Sequence, residues 1–404
     1  MNRNLKITFI GDITVDRPLI NASRVSEKEY DFKPVFKNVK SLFEKSDYVV
    51  GNLETVFAGA KKGYNSEYML VNAPDDLAKA IVYGGVDAVT TANNHCMDQG
   101  IKGVIRTLDI LDNLGIDSYG TYRNKEEYNQ IEYKDLDGTK IAIVAGTHST
   151  NSTNIDEVID EKNYYHVDVL KDQSIKYPGG AKGIIKKVVF TVLSPKMRRA
   201  INRKKARANL KKGIAFLKPR VDTKEKNDFT NEYFTRWIDR IDRAKREVDI
   251  VFACPHFGGQ FNENPGEYGN ELIDILNQKG VHVLGNHPHV VQKVVKSEQG
   301  AIGAYSIGGF NQSISGDYMN HDNLPQYSIA VNFYIDEKKV NKTTFSILKI
   351  VEHGNGGLEV YPVDKLNKEL NGIEKEKLLQ EVKVIYNRVT QKGEMAQIQS
   401  EYVL

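Results

Sequence analysis

The feature that most restricts the fold is a recurrence of short runs rich in Val and Ile, apolar on both faces, many of which end in a carboxylate, an amide or an imidazole. The runs are KITFIGD, YVVGNLE, VDAVTTANNH, KIAIVAGTH, VDIVFACPHF, VHVLGNHPH, AIGAYSIGGF and SIAVNFYI. A strand with one face in water alternates apolar and polar residues, whereas a strand covered on both faces does not. Between the runs lie helical patterns: KPVFKNVKSLFEK, APDDLAKAIVYGG with Pro74 near its start, IKGVIRTLDILDNLG closed by Gly115, and NELIDILNQKG closed by Gly280. Strand and helix alternate, which predicts an α/β fold in layers.

The strand ends carry the chemistry. The first run ends in Asp12, the second in Asn52 and Glu54, the third in Asn93, Asn94 and His95, a later one in His256, and the next in His287 and His289. Strand C-termini of open α/β sheets share one edge, where ligands bind, so these residues are expected to converge. His287 and His289 are i and i+2 in an extended segment, which points both rings to one side, and Pro288 stiffens the link. Taken singly, Asp12 could cap a helix, Asn93 and Asn94 could form a turn, and His287 and His289 could sit on a surface loop. Taken together they form a mixed nitrogen and oxygen donor set, suited to Mn, Fe or Zn rather than Ca or Mg. One or two divalent ions are expected, and a pair about 3.5–4 Å apart would orient and polarise a phosphate. The reaction class indicated is hydrolysis or transfer at phosphorus.

With 404 residues, 40% of them hydrophobic, the chain suffices for one large α/β domain with insertions or for two domains. No internal repeat or low-complexity linker marks a second domain, so residues 1–404 are read as one. No apolar run approaches the roughly 18–20 residues of a membrane span. MNRNLKITFIGD enters a strand pattern at once, with no signal-peptide region, so a cytoplasmic location is the expectation. Cys96 and Cys254 allow at most one disulfide and no four-ligand zinc spacing, and both read as small packing groups. His148, at the end of KIAIVAGTH, is a candidate pocket residue, while His166, His282, His321 and His353 read as structural or solvated.

Charge divides the chain. Residues 173–221 hold fifteen Lys or Arg and no Asp or Glu, which against a whole-chain charge of +3 leaves the remainder at −12. Within this stretch Ile184, Ile185, Val188, Val189, Val192 and Leu193 recur at helical spacing with Lys186 and Lys187 between them. A basic, largely helical insertion over residues 173–235 is expected. It could be a solvated insertion packed on the domain, a peripheral contact with an anionic membrane surface, or a contact with an anionic polymer or lipid-linked substrate. No nucleic-acid partner is expected, since no binding motif accompanies the charge. The tail, residues 320–404, reads as an antiparallel meander and a closing amphipathic helix that complete the second sheet of a sandwich.

The motifs GD at Gly11, GNLE at Gly51, ANNH at Ala92, HFGG at His256, GNHPH at Gly285 and YSIGGF at Tyr305 occur in an order that resembles the CapA, or poly-γ-glutamate capsule biosynthesis, family, over roughly residues 5 to 312. That family is similar to the calcineurin-like metallophosphoesterases. The resemblance implies a four-layer α/β/β/α sandwich and a metal-dependent phosphoesterase-like activity on an anionic capsule polymer or its phosphorylated or lipid-linked precursor. A metal-binding assembly component without turnover is the alternative. It further implies that Glu54 bridges two metals, that Asn94, His256 and His287 hold one, that Asp12 and His289 hold the other, and that His95 acts on the leaving group. Asn52, Asn93, His148, Gln260 and Tyr305 are candidates for substrate contact. Three departures stand out. Thr14 occupies the place of a histidine in many metallophosphoesterases, which leaves one metal a ligand short; Gln260 replaces an acidic residue, and Gly309 an asparagine.

Overall fold

The computed structural model describes residues 4–65, 70–151, 155, 157–174, 193–201, 204, 221–316, 319–393 and 395–404. In chain order its strands are β1 (Leu5–Ile13), β2 (Tyr48–Leu53), β3 (Ala88–Thr90), β4 (Asp117–Tyr119), β5 (Tyr133–Leu136), β6 (Thr139–Thr147) and β7 (Ile250–His256). There follow β8 (His282–Leu284), β9 (Val294–Lys296), β10 (Ile302–Ala304), β11 (Tyr327–Asp336), β12 (Lys339–Glu352), β13 (Leu358–Pro362) and β14 (Tyr402–Val403). They form two sheets. The first has the order β13-β12-β11-β1-β2-β3-β4, with β14 also on β12, and the second the order β5-β6-β7-β8-β10-β9.

The sheets pack face to face through Ile7, Phe9, Val50, Ile143, Phe252 and Phe333, with the rings of Phe9 and Phe252 4.9 Å apart. Outside the first sheet, helices Lys33–Lys37 and Asp76–Gly84 bury Val35, Phe36, Leu77 and Ile81. Outside the second, helices Glu232–Glu247 and Glu267–Gln278 bury Trp237, Ile241, Leu272 and Ile273, and the Trp237 indole N–H donates to the Ala145 carbonyl at 2.8 Å. This is the four-layer α/β/β/α arrangement. It explains the unalternating strands: every residue of β1 and β2 is buried, because each strand is covered twice.

The tail departs from expectation. Its strands do not complete the second sheet; β11 pairs antiparallel with β1, Ile7 opposite Phe333 and Phe9 opposite Val331, and β12 and β13 extend the first sheet. The side of β1 away from β2 would otherwise be an open edge through the middle of the core, and pairing with β11 satisfies its backbone groups. The closing helix, Gly372–Thr390, lies against β12 and β9 and buries Leu378, Val382, Ile385 and Val389 in the layer between the sheets.

Two other boundaries move. KPVFKNVKSLFEK is two short helices, Lys33–Lys37 and Lys40–Phe43, instead of one. Helix Glu232–Glu247 is a packed outer layer, so residues 232–235 belong to the sandwich and not to the basic insertion. Within that insertion residues 195–201 are helical, whereas the amphipathic face expected from Ile184 to Leu193 falls, apart from Leu193, outside the described residues. No helix among the described residues is long and apolar enough to cross a membrane.

Candidate metal centre

The parallel strands β1, β2, β3, β7 and β8 deliver their C-terminal ends to one edge of the sandwich. Asp12 lies at the end of β1 and is fully buried. Its backbone is held from both sides, with its N–H donating to Gly308 O at 3.2 Å and its carbonyl accepting from Phe310 N at 2.9 Å. The approach admits no side chain at Gly11, where a Cβ would lie 1.8 Å from Gly308 O. Glu54 follows β2, Asn94 and His95 follow β3, His256 closes β7, and the His287-Pro288-His289 turn follows β8. His287 and His289 have φ of +103° and +58°, values that cost non-glycine residues roughly 1–3 kcal/mol each and cluster at functional sites.

Two donor groups form, sharing Glu54. In the first, His256 Nε2 is 2.8 Å from Asn94 Oδ1, 3.0 Å from His287 Nδ1 and 3.4 Å from Glu54 Oε1. In the second, His289 Nδ1 is 3.1 Å from Asp12 Oδ2 and 3.6 Å from Glu54 Oε2. The donor atoms of Glu54, His256 and His287 lie within 4.8 Å of one another, as do those of Asp12, Glu54 and His289. Among the described residues neither Glu54 oxygen has a hydrogen-bond partner, although the residue is 1% exposed. A buried, unsatisfied carboxylate is costly by itself, and the donor set around it could hold a divalent cation. Glu54, His256 and His287, and Asp12, Glu54 and His289, are thus two buried groupings that could hold a metal ion, with Asn94 against His256 in the first; the donors are nitrogen and oxygen, and Cys96 and Cys254 are buried and unpaired.

The electrostatics agree. Burial opposes ionisation of Glu54, but His289 and His256 outweigh it and hold the carboxyl well below its usual range. Burial likewise opposes charge on His289, yet Glu54 and Asp12 raise it to about 9. His287 goes the other way: burial, then the neighbouring His256, keeps it neutral, with its lone pair available.

His95 stands beside these groups with a different partner. Its Nδ1 is 2.7 Å from Asp98 Oδ2 and 3.3 Å from Asn151 Nδ2, and Asp98 also accepts from Val71 N at 2.7 Å. Burial would lower the His95 pKa, but the Asp98 carboxylate raises it. Asp98 and Asn151 were not found from sequence. Asp98 had a faint signal, three residues after His95, while Asn151 sits on a loop with none.

The candidates for substrate contact separate. Asn52 is at the centre as a positioning group: its Nδ2 donates to Asp12 Oδ1 at 2.7 Å and lies 3.3 Å from His256 Nδ1, while its Oδ1 accepts from Thr90 at 2.9 Å. Asn93 is spent on the backbone, with Leu53 O at 2.7 Å and its own Oδ1 on His95 N at 3.1 Å. The His148 ring packs edge-on against Tyr268 at 4.5 Å, and burial lowers its pKa to about 3. Tyr305 lies in the core behind β8 with Phe257 and Tyr268. Asn93 and Tyr305 are buried and His148 is half-buried, each engaged in the contacts just named. Gln260 is half-buried in the turn after β7. Thr14 donates its backbone N–H to Asn311 Oδ1 at 2.9 Å. His166 and His282 are buried: His166 Nδ1 donates to Tyr122 O at 2.8 Å, and His282 Nδ1 accepts from Ile302 N at 3.1 Å.

The family described as bacterial capsule synthesis protein PGA_cap matches residues 6–313, a span that contains every residue of both donor groups. The chain belongs to that family. This PGA_cap member is 24% identical over 314 residues to the capsule biosynthesis protein CapA of Bacillus anthracis, which covers 76% of the chain and 60% of the relative. It is 22% identical over 363 residues to the PGA biosynthesis protein CapA of Bacillus subtilis (strain 168), covering 89% and 71%. The chain thus spans about three fifths of the length of the first of these relatives.

Proposed function

We propose that this PGA_cap-family protein is a metal-dependent, phosphoesterase-like hydrolase that acts on an anionic envelope polymer or on its phosphorylated or lipid-linked precursor. The observation that carries the reading is Glu54: both of its buried oxygens lack hydrogen bonds among the described residues, and each faces a different histidine group. The substrate class rests on the names of the two relatives, one a capsule and the other a PGA biosynthesis protein. Divalent ions in the two groups would polarise a phosphoryl oxygen and lower the pKa of a water. The chain's own residues supply the rest. Asn52 fixes the Asp12 carboxylate, and Asp98 orients His95 by binding Nδ1, which leaves Nε2 to hand a proton to the leaving oxygen. The basic residues of 173–221 would attract the same polyanion, or an anionic membrane surface.

A second reading, an assembly component that holds metal without turnover, draws on Thr14, which stands where many metallophosphoesterases have a histidine. Elemental analysis of the purified protein together with turnover of bis(p-nitrophenyl) phosphate tests both. Bound metal with metal-dependent turnover supports the hydrolase; bound metal without turnover supports the assembly component; absence of metal under saturating Mn²⁺ removes both.

A further inference from the structure

We propose that Arg388, on the closing helix Gly372–Thr390, is a positioning residue for the His287-Pro288-His289 turn; the inference rests on reading that turn as part of a metal centre. The Arg388 side chain is 8% exposed and its guanidinium holds three acceptors on three separate segments. Nη1 donates to Val291 O at 3.2 Å and to Asn323 O at 2.8 Å, and Nη2 donates to Glu263 Oε2 at 2.7 Å.

Each segment leads to the turn. Val291 is two residues beyond His289. Asn323 donates through Nδ2 to Phe261 O at 2.8 Å, and Phe261 N donates to Pro288 O at 2.8 Å. The Phe261 ring lies 5.7 Å from the His289 ring, and Phe261 packs with Val290 and Met319 in a small cluster of its own. Gln292, next in line, donates to Asn262 O at 2.7 Å.

The region is strained. Phe261, His287, His289, Asn323 and Leu324 all have positive φ, between +58° and +103°. Such backbone persists only where its surroundings over-determine it. The planar fork of arginine serves three carbonyl and carboxylate acceptors at once, and a lysine ammonium on a flexible stem does not reproduce that geometry. Arg388 also lies outside residues 6–313, so a helix beyond the family-matched region secures ligands within it.

The test uses the full chain, stripped of metal, with Mn²⁺ alone as the probe. Arg388→Ala and Arg388→Lys are expected to weaken Mn²⁺ binding by roughly 10–100-fold, the usual cost of losing a group that orients ligands. In the metal-free protein, amide exchange at residues 287–292 should accelerate while circular dichroism stays unchanged. Glu263→Gln, which removes only the charged arm, should shift both readouts in the same direction by less. If the Arg388 variants do not fold, Glu263→Gln and Asn323→Ala carry the comparison. Wild-type Mn²⁺ affinity and wild-type exchange in the folded variants would overturn the proposal. A wild type that takes up no Mn²⁺ fails the metal reading instead, and the exchange rates at 287–292 then decide the positioning role alone.

Discussion

Oε2 of Glu54 lies 3.6 Å from Nδ1 of His289, and that contact replaces the hydrogen bonds a buried carboxylate ordinarily has. A negative charge held in this way could serve as a ligand to a cation. Glu54→Gln removes the one charge common to both donor groups, and His287→Ala removes a neutral donor from the first. Both variants should keep the fold, because the residues sit at strand ends, and both should lose metal by more than the roughly 10–100-fold typical of an outer partner. Elemental analysis with circular dichroism checks this; full occupancy in both variants would refute the assignment.

His95 and Asp98 make a separable prediction. His95→Asn should retain metal and lower turnover by roughly 10²–10⁴-fold, the range for a positioned proton donor. If metal is lost instead, His95 is a ligand. Asp98→Asn should also retain metal but move the pH profile. The Asp98 carboxylate raises the His95 pKa, so its removal lowers that pKa, and the proton donor is lost at lower pH. The alkaline limb of the kcat profile should therefore shift to more acidic pH.

Metal uptake should depend on pH with a known sign. Free His289 titrates at about 9, above its ordinary 6.5, so a cation must displace its proton at neutral pH. Mn²⁺ affinity should rise with pH up to about 9, and calorimetry in buffers of different ionisation enthalpy should register proton release. The same raised pKa stabilises the metal-free fold fully below pH 6.5, and that contribution is lost as pH climbs through 9. Thermal melts of metal-free protein across that window would contradict the assignment if they showed no decline.

Two glycines in the centre should answer differently to alanine. At Gly11 an added Cβ would lie 1.8 Å from the Gly308 carbonyl, so Gly11→Ala must displace the backbone that holds Asp12. It is expected to cost at least the roughly 1–3 kcal/mol of overpacking. At Gly309 the nearest atoms, Gln312 Oε1 and His289 Nδ1, would be 3.7 and 3.8 Å away. Gly309→Ala should fall within about 0.5 kcal/mol of wild type. Chemical denaturation of the pair measures the contrast.

Residue order alone was enough to set the layered α/β class and to point to the strand edge that carries the candidate donors. Unalternating Val and Ile runs require cover on both faces, and parallel strands place their last residues together, so Asp12, Glu54, Asn94, His95, His256, His287 and His289 could be picked out one by one from strand ends. Three matters rested on packing in three dimensions. The meander joined β1 because an open edge in mid-core had to be paired, a demand that periodicity does not express. Asn93, His148 and Tyr305 went to backbone and packing because an amide, an imidazole or a phenol reads alike whether it faces a ligand or a carbonyl. Asp98 and Asn151 bind His95, Asn151 from a distant loop, and Arg388 reaches Val291, Asn323 and Glu263 from the terminal helix. The Asn151 and Arg388 contacts are fixed by chain folding in three dimensions, and no local spacing records them, whereas Asp98, three residues from His95, left only a faint local signal.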